Sequence, residues 1–530
     1  MMKSISLSYL RSHRICLSDL YHLLTPQRKA VFLTAIVMGL LAHGKVLIND
    51  LYYHDNIYGL FTLGSSFEFG RWMLGVLQFI EESFWGTPVY ALSLLRGVGA
   101  IMLIAICSCV IVETFKIKSH LSCSLFTAGM VTFPSVASLF GYMFLAEAYM
   151  LGLLFIVLGA KMVCSSDKVS RFFVGSFLIA IGVGFYQAYI PFVLVIYLCF
   201  FFYYLNSHKE SIANKTILQI IFKLFLSCVC FLLLYFIISK LFLFVLHVEL
   251  SSYKSINSIP LSPLVYLQRI ILPYKYFLVP DQAPYRVMYF SNLRFVYYIL
   301  VIIISILSFV NICSLYKDGY KKVALLNASC YAFLPFCMNF IYIMCPLGDI
   351  YGLMQQPQTL IFLYLIVLIQ NMQYRTLFCS NCVRLSVCGI IAVLVMGFVR
   401  IDNILYLKAS FVQQQTISYF TTLISQIKSL PDYRDELSVC FVGDWCLNDR
   451  TNTDTKELRD IKIPPYDDLT HHVNDYSNYN FIELWCGYKP VIVDAQRFSN
   501  MEMVKNMPIY PNAGSIQIIN NTIVVKLSAN

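Results

Sequence analysis

Eleven stretches of this chain are long and apolar enough to cross a bilayer, and no other feature limits the fold as strongly. They lie near 30–48, 89–114, 120–142, 144–163, 171–187, 189–205, 216–247, 294–315, 322–344, 357–373 and 384–404. A hydrocarbon core needs about 20 such residues per helix, and inside it a helix satisfies its own backbone. The expected fold is an all-α polytopic membrane protein with about 11 transmembrane helices. Composition agrees: of 530 residues, 58% are hydrophobic and 13% charged, against about 25% charged in soluble domains.

The charges sort by gap. Odd gaps carry Asp50, Asp55, Glu68, Glu81 and Glu82, then Glu147, and later Asp349. Even gaps carry Lys116 and Lys118, then Lys161, Lys168 and Arg171, then Lys209 and Lys215, then Lys317, Lys321 and Lys322, then Arg375. Arg11, Arg14, Arg28 and Lys29 precede the first run, which lacks a clear cleavage site and reads as an uncleaved span. The basic faces are expected to be cytosolic. From Leu405 onward 11 Lys/Arg stand against 14 Asp/Glu, so the formal +10 resides in membrane-flanking loops. That distribution argues against a nucleic-acid-binding face. Fifteen of the 18 cysteines precede Leu405 and act mostly as small hydrophobes, leaving Cys440, Cys446 and Cys486 in the tail. The lone Cys379–Cys382 pair and His471–His472 lack further ligands at metal spacing.

Two domains are expected: 1–404 in the membrane and 405–530 as a small extracytoplasmic α/β domain. The latter opens with an amphipathic stretch, 419–430, followed by β-like runs at 437–442, 490–493, 515–519 and 522–527, the last two joined at Asn520-Asn521. Residues 68–80 are too short to span and suit an interfacial helix, and the proline- and tyrosine-rich loop 248–293 is too long for a plain connection.

Several polar residues stand where hydrocarbon begins. Asp50, His54 and Asp55 follow the first span directly, in Asn49-Asp50-Leu51-Tyr52-Tyr53-His54-Asp55-Asn56. A carboxylate there can deprotonate an attacking hydroxyl, or can simply decorate an outer loop. Glu147 interrupts the apolar Gly141–Tyr149 segment, where an ionisable residue is either functional or snorkelling. Tyr186 and Gln187 place polar atoms between two nearly abutting spans, for a substrate or for interhelical bonding. Arg71, Lys275 and Arg286 can hold a phosphate or anchor at headgroups.

These features together resemble the GtrII-like glucosyltransferases, which decorate bacterial O-antigen and convert serotype. The resemblance rests on the acidic first loop followed by Gly70-Arg71-Trp72, on Ala146-Glu147-Ala148-Tyr149-Met150, on Tyr186-Gln187-Ala188-Tyr189, and on the terminal Met507-Pro508-Ile509-Tyr510-Pro511 with Gly514-Ser515 and Val524-Val525-Lys526. It implies a GT-C-like glycosyltransferase of the bacterial inner membrane. The donor would be a hexose, glucose in the first instance, on polyprenyl phosphate. The acceptor would be a lipid-linked or nascent surface glycan at the periplasmic face, with inversion, and a polyprenyl-sugar synthase and flippase would act upstream. Family members often show adjacent acidic residues in the first loop. Here His54-Asp55 stands in that place, so Asp55 carries the claim to be the base. Asp50 or Glu147 is left as the second carboxylate. No cofactor is expected, and a divalent metal stays open. Two other classes share many spans and buried charges: a lipid-linked glycan flippase or transporter, and an O-antigen polymerase or ligase.

Overall fold

The computed structural model describes residues 24–52, 55–64, 66–251, 263–280, 293–346, 350–372, 377–444 and 477–528. His54, Arg286, Asp349, Arg375, Cys446 and His471–His472, with the side chain of Cys379, lie outside the described residues.

Every one of the eleven apolar runs falls on helix. In chain order the helices are α1 (Pro26–Ile48), α2 (Trp72–Trp85), α3 (Ser93–Thr114), α4 (His120–Thr132), α5 (Pro134–Phe140), α6 (Met143–Ser165), α7 (Val169–Phe185), α8 (Ile190–Ser207), α9 (Asn214–Leu246), α10 (Pro263–Leu278), α11 (Leu293–Lys317), α12 (Lys321–Met338), α13 (Leu360–Asn371) and α14 (Leu377–Lys428). Among the described residues eight helices are long and apolar enough to cross a membrane, or nine if α4 and α5, bent by 41°, form one broken span. The bend falls at Phe133-Pro134, where proline cannot continue the hydrogen-bond ladder of α4. Helix α7, at 17 residues, is shorter than a usual span. Helix α2 is a non-spanning helix that continues past residue 80 to Trp85, and Phe79, Phe84 and Trp85 are exposed along it.

Small residues set the closest packing. In the α6–α7 hairpin a Cβ on Gly159 would lie 2.5 Å from the Gly175 carbonyl, and one on Gly182 would lie 2.7 Å from that of Gly152. Bare backbones thus meet along one seam, the close approach that drives helix association where lipid supplies no hydrophobic gradient. On the outside, α9 exposes Leu218, Phe222, Phe225, Leu233, Phe236 and Phe244, a face suited to acyl chains.

Residue 405 lies inside α14, which runs unbroken into the stretch 419–430 and ends at Lys428. No glycine or proline occurs between Gly397 and Pro431 to stop it. Its 52 residues make a rod of roughly 78 Å at 1.5 Å per residue, well over twice a hydrocarbon core of about 30 Å. The far end carries the tail. Phe420, Leu423 and Ile427 pack with Val439, Phe441, Phe481, Ile523 and Val525 in a second core. There β1 (Ser438–Val442), β2 (Ile516–Ile519) and β3 (Thr522–Lys526) form a sheet ordered β1-β3-β2, with β1 parallel and β2 antiparallel to β3. Asn520 and Asn521 both have positive φ, 49° and 60°, as a two-residue type I′ hairpin requires. The run at 490–493 contributes a single bridge, Ile492 to Val439.

Candidate functional site

The end of α1 and the starts of α3 and α6 open onto one end of the bundle, and the loop after α1 folds across them. A cross-linked set of contacts fixes this loop. The Asp50 carbonyl accepts from Gln413 Nε2 of α14 at 2.9 Å, and the Asp50 carboxylate accepts from Tyr52 Oη and Ser93 Oγ, each at 3.2 Å. Burial, then the Asp50 charge, push the Tyr52 phenol up to about 12. The Tyr52 ring meets Trp485 edge-on at 5.4 Å, and Ile57 is fully buried in the core of the tail. The loop is therefore held between the bundle and the C-terminal region. Gly59 lies flat on Phe144 at the start of α6, where a Cβ would come within 2.4 Å of the ring.

That seating leaves Asp55 half-buried at the start of a single helical turn, Asp55–Tyr58, four residues before the Gly59 contact with α6. The charges of both Asp55 and Arg71 reach the Tyr149 phenol. Arg71 in turn lies over the Tyr186 ring, its guanidinium carbon 5.5 Å from the centroid, and Tyr186 stacks on Tyr149 at 4.3 Å. A tight turn places Arg71. Gly70 has φ +68°, and a Cβ there would strike Tyr235 Oη at 2.5 Å, so both conformation and space call for glycine. Gln187 Nε2 donates to the Phe69 carbonyl at 2.7 Å, and Tyr235 Oη donates to the Gly70 carbonyl at 3.0 Å. Trp72 packs over Gly184. Thus Gly70-Arg71-Trp72 and Tyr186-Gln187, far apart in sequence, form one knot. Around it Asn56 Oδ1, Trp72 Nε1 and Tyr186 Oη are buried without a hydrogen-bond partner among the described residues. Such groups cost about 1–3 kcal/mol each when left unmet, so a polar ligand that reaches them is stabilised.

Sequence reasoning missed the central cation. Arg96, on the first turn of α3, is buried and fully engaged. Its Nη1 bonds Glu81 at 2.9 Å and Glu147 at 3.0 Å, Nη2 makes a second bond to Glu81, and Nε donates to the Tyr90 carbonyl at 3.2 Å. Glu147 is thereby a tethered carboxylate: its side chain is 36% exposed but gripped by Arg96. Tyr90 Oη bonds Glu82 at 2.9 Å, and burial followed by that bond raises its phenol above the ordinary tyrosine range. The signal available in the sequence was an arginine eight residues into the apolar run 89–114, which opens near a Glu-Glu pair.

A second missed element is a 3₁₀ segment, Gly352–Thr359, in which Gln355, Gln356, Gln358 and Thr359 are all buried. It touches the short 3₁₀ turn Gln187–Tyr189, and Gln356 Nε2 lies 3.8 Å from the sulfur of Met150, one residue past Tyr149. Gln358 Nε2 donates to Asn339 Oδ1 at 2.9 Å. Non-helical backbone at membrane depth persists where it is enclosed by protein or lines a cavity. Here it closes the site from below.

The structure thus gathers Asp55, Arg71, Tyr186 and Gln187 with Tyr149. It holds Asp50 beside them through Tyr52 and Ser93, and Glu147 through Arg96. Lys275 is exposed on α10, its ammonium 5.5 Å from the Tyr276 ring, and α10 packs against α12 and the turn Ile341–Met344. Among the described residues no three His, Cys, Asp or Glu side chains converge as metal ligands.

The family model for glucosyl transferase GtrII matches residues 44–369, from the end of α1 through α13, and so takes in every element of this site except α14 and the tail. No curated protein and no solved structure matches the chain. The match covers well over half of the chain and contains the first loop, the Arg71 turn, Arg96, Glu147 and the tyrosine stack; the chain belongs to the GtrII glucosyl transferase family.

Proposed function

We propose that this membrane glucosyltransferase takes a hexose, glucose in the first instance, from polyprenyl phosphate and attaches it to a hydroxyl of a lipid-linked or nascent O-antigen-type glycan. The reaction takes place at the periplasmic face of a bacterial inner membrane. Asp55 accepts the proton of the attacking hydroxyl. That oxygen bonds to the anomeric carbon from the face opposite the phosphate, and the carbon–oxygen bond to phosphate breaks. Its electron pair leaves with polyprenyl phosphate, so configuration inverts. The Arg71 guanidinium offers the phosphate paired donors close to hydrocarbon, where a positive partner counts for most. Arg286, outside the described residues, supplies a second cation to the phosphate, and Lys275 binds the lipid head at the rim. Tyr186 Oη and Asn56 Oδ1 bond sugar hydroxyls, and the Glu147–Arg96–Glu81 clamp holds the floor rigid.

The observation that carries this reading is Arg71 seated on the Tyr186–Tyr149 stack, whose Tyr149 phenol also feels the Asp55 charge, next to buried polar atoms that lack partners among the described residues. Purified protein in lipid nanodiscs should transfer glucose from polyprenyl-phosphate glucose to a lipid-linked glycan with no nucleotide sugar present. Transfer from UDP-glucose in the absence of any lipid donor overturns the reading.

A further inference from the structure

At the end of the bundle opposite the site lies a cavity of about 530 Å³, within the usual range for enclosed ligand sites of roughly 300–1,000 Å³. Its walls come from the start of α4, the last turns of α8 and α13, and the first turns of α14. The floor is apolar, formed by Leu125, Ile366, Ile369, Val387 and Ile391. The mouth is basic, carrying Lys116, Lys118 and Arg384, all exposed, and no Asp or Glu lines the cavity among the described residues.

Several other cations at this end have partners. Arg28 and Lys161 share Glu113, Lys223 pairs with Asp167, and Lys322 bonds Asn214. Lys209 and Lys321 lie over Tyr320 and Tyr316. Lys116, Lys118 and Arg384 have no ion-pair partner among the described residues, and they stand together where an apolar slot opens. Basic pockets between membrane helices on the cytosolic side are where anionic headgroups bind. An acyl chain satisfies the floor and an anionic head satisfies the mouth, and one molecule does both.

We infer that this cavity binds an anionic phospholipid of the adjoining leaflet, with one acyl chain between α8, α13 and α14 and its phosphate at Lys116, Lys118 and Arg384. The site is separate from the proposed sugar-transfer centre.

Native mass spectrometry tests it, on full-length protein delipidated and then exposed to equal amounts of phosphatidylglycerol and phosphatidylcholine of the same chain length. Wild type should retain phosphatidylglycerol at least about tenfold more than phosphatidylcholine. The triple variant Lys116→Gln, Lys118→Gln, Arg384→Gln should lose that preference. Val387→Trp, which fills the floor while leaving the mouth intact, should lower retention of both lipids. It gives an independent result should the triple variant misfold. Inorganic phosphate at equal concentration should not displace the bound lipid. Equal retention of the two lipids by wild type, an unchanged preference in the triple variant, or full retention by Val387→Trp would overturn the inference.

Discussion

Helices α3 and α6 contribute to a charged triad at each end of the bundle, completed by α2 at one end and α1 at the other, and the two triads have opposite composition. At the site end Arg96 sits between two carboxylates, Glu81 and Glu147. At the other end Glu113 sits between two cations, accepting from Arg28 at 2.7 Å and Lys161 at 2.9 Å. One triad carries one net negative charge and the other one net positive, a difference that follows the basic-gap rule along the sequence. Burial separates them further. The Arg96 side chain is 11% exposed, whereas Arg28, Glu113 and Lys161 are each at least 35% exposed. Water screens the outer triad, so its pairs are worth roughly 0–1 kcal/mol each. The buried arginine cannot lose its partners so cheaply. Similar charge patterns therefore anchor one end and build rigid architecture at the other.

The largest expected effect tests which end is which. Reporter fusions should give alkaline phosphatase activity after residue 420 and none after residue 118; the reverse would move the site to the cytosolic side and break the comparison. Next comes the loop held over the inner triad. Asp55→Asn keeps shape but cannot accept a proton, and should lower turnover about 10²–10⁴-fold at unchanged protein level. Retention of more than half the wild-type rate there, with Asp50→Asn or Glu147→Gln inactive, would move the base to another carboxylate. The triads themselves can be set against each other. Arg96→Ala leaves the half-buried Glu81, 16% exposed, and the more open Glu147 facing each other with no counter-charge and should cost about 1–3 kcal/mol, read as lowered thermal stability in detergent. Glu113→Gln should stay within about 1 kcal/mol of wild type, and equal losses at the two ends would show that burial does not set them apart.

Smaller effects sharpen the contrast. Tyr186→Phe removes a hydroxyl that has no partner within the described fold, so stability should hold while donor KM rises about five- to tenfold, the value of one hydrogen bond. An unchanged KM would return Tyr186 to packing. Smallest of all is the alkaline response. The Tyr52 phenol titrates higher in the fold than unfolded, so its contribution is complete below pH ~10 and disappears as pH rises through about 12. Tyr52→Phe should flatten that part of the stability curve, and an identical alkaline slope in wild type and variant would count against it.

Much of this was legible in the sequence. The apolar runs mark every long membrane helix, and Asn520-Asn521 marks the hairpin. The two motifs that form the Arg71 knot stand out because glycine, arginine and glutamine are conspicuous at the margins of apolar runs. What escaped is what only the third dimension supplies. Arg96 reads as the opening of a span until Glu81 and Glu147 are seen on either side of it. Gln358 and Thr359 read as the head of the run 357–373 because local hydropathy does not distinguish a buried 3₁₀ segment from a helix end. Helix α14 hid the domain boundary because a helix that leaves the membrane keeps its period and changes only its surroundings.

That long helix also imposes an order on biogenesis. Ile57, in the first loop, and Ile424, on α14, share a core although 367 residues separate them. At about 5–20 residues per second, the ribosome emits the second roughly 20–70 s after the first. The loop bearing Asp55 therefore waits unseated while almost all of this chain is made. A chain interrupted anywhere before the tail should insert its early helices and still lack a finished site. Completion of synthesis is then the event that arms the enzyme.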